Sequence, residues 1–111
     1  MAYDQELARR IQDALFELQP PGLVWKKMFG GVCYLVQGNM ACGVHKDKLI
    51  VRVGPQKYQE ALARQHTTHF DITGRPMKGW VMVGSEGYES EDVLKGWIQE
   101  GVDFALTLPA K

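Results

Sequence analysis

Between Val32 and Val53 the chain reads VCYLVQGNMACGVHKDKLIVRV, three runs of apolar and β-branched residues separated by the turn candidates Gly38-Asn39 and Lys46-Asp47. Runs this short, interrupted this closely, have room for antiparallel hairpins and little else, since parallel strands need crossovers of a dozen residues or more. With the preceding run they make four strands, Val24–Met28, Val32–Gln37, Met40–His45 and Lys48–Val53. If Gln37 faces Met40 and His45 faces Lys48, one sheet face collects Cys33, Leu35, Met40, Cys42, Val44, Leu49, Val51 and Val53, with Gln37 at its rim. The other face carries Val32, Tyr34, Val36, Ala41, Gly43, His45, Lys48, Ile50 and Arg52. A one-residue slip would mix these sets, so the segregation argues for the register. It predicts the first set as core and the second as a mixed surface.

Around this sheet the spacing changes to that of helices. Leu7, Ile11, Ala14, Leu15 and Leu18 recur on one helical face behind Asp4, which predicts a helix over about 4–18, closed by Pro20 and Pro21. Pro55 suits the first turn of a short helix reaching about Arg64. The run HFDITGRPMKGWVMVG then reads as a short strand, a turn at TGRP and a strand through Trp80–Val83. Ser90 is placed to cap a last helix buried through Val93, Leu94, Trp97, Ile98 and Val102, with Gly96 and Gly101 as weak points in it. Hairpins with one apolar face call for helices on that face. The expectation is an α+β two-layer sandwich, an antiparallel β-sheet with helices packed mainly on one face, forming a single domain over residues 1–111.

No run approaches the length of a membrane span, and the first ten residues, MAYDQELARR, lack a secretory apolar core. A cytoplasmic, non-membrane address is expected. Cys33 and Cys42 are too few for a disulfide framework and match no zinc spacing, so reduced thiols are expected. The formal net charge is zero but uneven: residues 20–80 hold nine Lys or Arg against three acids, a balance of +6, and the two flanks hold four against ten, a balance of −6. Acidic solvent faces on the outer helices account for this more simply than nucleic-acid binding.

The stretches KKMFGGVCYLVQGNMACGV, DKLIVRVG and GRPMKGW together resemble the N-terminal domain of the TfoX/Sxy family, whose signature is a Met-Phe-Gly-Gly corner leading into a strand. Met28, Phe29, Gly30 and Gly31 carry that signature here. The resemblance runs over nearly the whole chain and implies a single-domain member with a two-layer α+β fold. Its best-known members regulate bacterial competence for DNA uptake together with the cyclic-AMP receptor protein, and they carry a second, C-terminal helical domain. The resemblance thus implies a role in competence or transcription regulation.

The residues themselves offer little chemistry. Gly30-Gly31 opens a strand, not a helix, and lacks the Lys-Ser/Thr of a phosphate loop, so a backbone corner is the simpler reading. In the register above His45 points away from Cys33 and Cys42, which therefore read as core thiols and not as a metal site. His66, His69 and Asp71 lack further ligands, and Ser85 and Ser90 lack a base. No catalytic residue, metal or cofactor is expected. Two surfaces remain. Val32, Tyr34, Val36, Ile50 and Arg52 form a candidate interface, for a homodimer or a protein partner, if no helix covers their face. Lys26, Lys27, Arg75 and Lys78 form a candidate anion-binding cluster beside Trp80, the basis of an alternative reading as a nucleic-acid or small anionic-ligand module. The first reading, a non-enzymatic interaction domain, is favoured.

Overall fold

The computed structural model describes residues 3–28, 31–70 and 78–110. The chain runs α1 (Gln5–Leu18), β1 (Leu23–Met28), β2 (Gly31–Val36), β3 (Asn39–His45), β4 (Lys48–Arg52), α2 (Tyr58–Leu62), β5 (Thr67–His69), β6 (Trp80–Val83) and α3 (Glu91–Leu106). The strands form one antiparallel sheet in the order β1-β2-β3-β4-β6-β5. The α+β expectation therefore holds. Asp4 caps α1 as its sequence suggests, its carboxylate accepting from the Leu7 amide at 3.1 Å. Ser90 occupies the cap position of α3 but its side chain makes no capping bond. That end is tied instead through Arg10, which donates to the Glu91 carboxylate at 2.7 Å and to the carbonyls of Tyr88 and Glu89.

The register differs from the expected one. The β2–β3 turn is Gln37-Gly38, not Gly38-Asn39: both residues have positive φ, 53° and 84°, and Val36 pairs with Asn39. Positive φ at both central positions is the hairpin geometry that matches strand twist, and Gly at the second position is its usual choice. Further along, Leu35 pairs with Met40 but Tyr34 pairs with Cys42, leaving Ala41 as the extra residue of a β-bulge. The observed turn moves the pairing by two residues and keeps the parity; the bulge moves it by one and exchanges the face of β2 relative to the rest of the sheet. Val32, Tyr34 and Val36 join Cys42, Val44, Leu49, Val51, Val81 and Val83 under the helices, and all nine belong to the buried core. Cys33, Leu35 and Met40 turn to the opposite side.

All three helices lie on the Tyr34 side. Leu7, Ile11 and Leu15 of α1 and Leu94, Ile98 and Val102 of α3 are buried against it, and the Tyr34 hydroxyl donates to the Ala8 carbonyl at 3.2 Å. The bulge sets how closely α3 can sit. A Cβ on Gly101 would lie 2.3 Å from the Ala41 carbonyl oxygen, so the helix can rest on β3 only where it has no side chain. At its far end Asn39, almost fully buried, donates to the Pro109 carbonyl at 3.0 Å and ties the end of the chain to the β2–β3 turn.

Candidate interaction surface

The sheet face away from the helices is built from alternate residues of all six strands, Thr68 of β5 among them. Strand pairing places Val24 and Lys26 of β1, Cys33 and Leu35 of β2, Met40, Gly43 and His45 of β3, Lys48, Ile50 and Arg52 of β4, and Trp80 and Met82 of β6 on it. None of the three helices packs there. Leu35, Met40, Trp80 and Met82 are half-buried. At the centre Gly43 has no room for a Cβ, which would meet the Val32 carbonyl at 2.5 Å and the Met40 methyl at 3.1 Å. Met40 thus lies across the glycine, and a flexible thioether covers the middle of the face.

The face is basic as well as apolar. Among its described residues are Lys26, His45, Lys48 and Arg52 and no Asp or Glu. Most of the described carboxylates sit on the helices, Glu6, Asp13 and Glu17 on α1, Glu60 on α2, and Glu91, Asp92, Glu100 and Asp103 on α3, while Asp47 in the β3–β4 turn stands 3.9 Å from Lys48. Arg52 lies at the margin with its guanidinium 5.1 Å from the Trp80 ring centre and 5.3 Å from that of Phe104, a cation held between two aromatic rings. On the helix side Arg64 donates to Glu100 at 2.6 and 3.0 Å and to Glu60 at 2.7 Å and stacks over Trp97, which holds it protonated far above the ordinary range, chiefly through the Glu100 hydrogen bonds.

The expected interface is not assembled. Val32, Tyr34 and Val36 are buried under the helices, Tyr34 with no exposure at all, because the bulge at Ala41 inverts the parity of β2 relative to the expected register. Ile50 and Arg52 do lie on the helix-free face, Ile50 buried there and Arg52 half-buried. Nor does the anion cluster form. Lys26 and Lys27 are on β1, the sheet edge, and point to opposite faces, whereas Lys78 precedes β6, four strands away or about 19 Å at ordinary strand spacing. Arg75, Phe29 and Gly30 lie outside the described residues, as does the side chain of Met28. Gly31 opens β2 with its α-carbon against the neighbouring strand, where a Cβ would fall 1.8 Å from the Val44 carbonyl oxygen.

Cys33 and Cys42 face opposite sides of the sheet, Cys33 on the same side as His45 and Cys42 in the core. Burial raises both thiols, that of Cys42 to about 12, so each stays protonated near neutrality. The His69 Nδ1 shares a 2.8 Å hydrogen bond with the Tyr58 hydroxyl, and His66 Nε2 stands 3.8 Å from Glu86. A cleft of about 370 Å³ opens beside Gly54, lined by Pro55, Lys57, Glu100, Asp103 and Phe104. Sequence reasoning missed Leu35, Met40 and Met82 as surface residues. A turn at Gln37-Gly38 shifts the pairing by two residues and leaves the faces as expected, so the exposure of Leu35 and Met40 follows from the bulge at Ala41, which no turn dipeptide announces.

The family model of the TfoX N-terminal domain matches residues 17–105. Neither the curated proteins nor the solved structures include a match to this chain.

Proposed function

This chain belongs to the TfoX N-terminal domain family, and on that footing we propose that it is a non-enzymatic interaction domain, cytoplasmic and bacterial, that acts in competence or transcription regulation by contacting a protein partner through the helix-free sheet face. The observation that carries the reading is the make-up of that face. Leu35, Met40, Trp80 and Met82 are half-buried, without a helix over them, on a rigid six-stranded frame. Half-buried Met and Trp with a basic margin are what a partner surface needs: adaptable apolar area at the centre and charge around it to orient the encounter. The described residues of this face include four basic side chains and no Asp or Glu, which favours a partner whose contact region is acidic.

Affinity capture from a bacterial lysate tests it, with the wild-type chain beside Met82→Glu. Met82 is on the face and outside the core cluster, so the variant is expected to keep its far-UV circular dichroism. The wild type should retain a protein that the variant releases. Identical captured sets from the two would overturn the reading.

A further inference from the structure

The sheet has two edges of unequal kind. β5, at one end, is three residues long; β1, at the other, is six residues long and, among the described strands, pairs with β2 alone. Residues 24–27 of β1 are exposed, which means exposed on both faces, since their side chains alternate. Of the six large apolar side chains exposed on the described surface, Phe16, Leu18, Val24 and Trp25 fall in the last turn of α1 and the first half of β1. Val24 and Trp25 are each 50% exposed. A long, open, apolar edge is what proteins ordinarily avoid, and paired lysines such as Lys26 and Lys27 are one way to guard it.

We propose that β1 is a homodimer edge: two copies pair antiparallel through β1 about a twofold axis perpendicular to the sheet, with Trp25 opposite the partner's Trp25, forming one twelve-stranded sheet. This deepens the interaction reading but stands on β1, not on the helix-free face. Symmetry restricts the register. A perpendicular twofold keeps each face on its own side, so one residue must pair with its own copy at the axis. Only two centres, Trp25 and Lys26, bring five strand residues of each copy opposite one another. A Lys26 centre sets two ammonium groups directly across from each other, which destabilises an antiparallel pair. With Trp25 at the centre, Lys26 lies opposite Val24 and Lys27 opposite Leu23, so both lysine stems cover apolar side chains and both charges reach solvent. The lysines then select one register of the edge instead of closing it.

Sedimentation of the full chain at about 100 µM, where an association in the micromolar range is nearly complete, should give twice the 12.5 kDa of one chain. Trp25→Lys should lose the dimer with its circular dichroism unchanged. The register has its own assay. Trp25→Cys should form an intermolecular disulfide under mild oxidation, because directly opposed Cα atoms are about 4.5–5.5 Å apart. Lys26→Cys should not, because its two copies would stand about 8 Å apart. Met82→Glu, which tests the partner surface, should leave the dimer intact. A wild-type mass of a single chain, a dimer that survives Trp25→Lys, a Lys26→Cys cross-link as fast as that of Trp25→Cys, or loss of the dimer in Met82→Glu would each overturn the proposal.

Discussion

Two glycines five residues apart in α3 should respond to the same substitution with opposite sign. In a helix interior Gly→Ala is worth about 0.8–1.0 kcal/mol of added stability, from the backbone freedom that alanine removes. Gly96 is exposed and a Cβ there would meet nothing within 4 Å, so Gly96→Ala should keep nearly all of that gain. Gly101 is buried, and its Cβ would lie 2.3 Å from the oxygen and 3.1 Å from the carbon of the Ala41 carbonyl. Neither atom belongs to a flexible side chain that could step aside. Relief requires α3 to lift off the bulge, which loosens Ile98, Val102 and Ala105, all buried in the same core. Overpacking of this kind costs about 1–3 kcal/mol and a backbone clash belongs at the upper end. After the helical gain is subtracted, Gly101→Ala should lose about 1–2 kcal/mol. For a domain of this size that lowers Tm by about 4–9 °C, while Gly96→Ala raises it by roughly 4 °C. Urea unfolding followed by far-UV circular dichroism measures both at constant m-value. A Gly101→Ala protein as stable as the wild type would refute the account of α3 resting on the bulge.

Other consequences can be checked by the same unfolding experiment. Burial raises the Cys42 thiol from 9.0 to about 12 and the Tyr34 phenol from 10.0 to about 12, so the unfolded chain ionises first: stability is complete below pH 9 and should fall as pH rises from 9 towards 12. Cys42→Ala should flatten the part of that slope that begins at pH 9, and an unchanged slope would place the thiol in a wetter site than the core. Gln37→Asn should stabilise by a few tenths of a kcal/mol, because Asn-Gly suits two positive φ values better than Gln-Gly; a loss of stability would contradict the turn. Asn39→Ala leaves the Pro109 carbonyl without its 3.0 Å donor and should cost about 1–2 kcal/mol, with faster proteolysis of the C-terminal residues as a second readout. Arg64→Lys keeps the charge but gives up the paired bonds to Glu100 and the stacking on Trp97, and since Arg64 is partly exposed a loss of about 1 kcal/mol is expected.

The elements were legible because their signals are local. Leu7, Ile11 and Leu15 show the face of α1 at helical spacing, and Asp4 shows where the helix begins. The short runs from Leu23 to Arg52 can only be hairpin strands, and the amphipathic helices that flank them need a sheet face to bury against. The composition of the interaction surface was not legible in the same way, because a period-two pattern in which both faces are largely apolar cannot say which face is inside. Val32, Tyr34 and Val36 and their alternates Cys33 and Leu35 are equally apolar, so the choice between them rests on one bulge.

That choice is made in three dimensions. Ala41 must leave the ladder so that Tyr34 reaches the Ala8 carbonyl and Gly101 can lie on the Ala41 backbone sixty residues away. Contacts at that separation leave no trace in a local pattern. By itself the sequence determined an antiparallel sheet with helices on one side, the family that sheet belongs to and the basic character of the middle of the chain. Tertiary packing alone decided which strand residues the helices bury and which are left for a partner, because parity in a strand is set by the register of its neighbours and not by its own side chains.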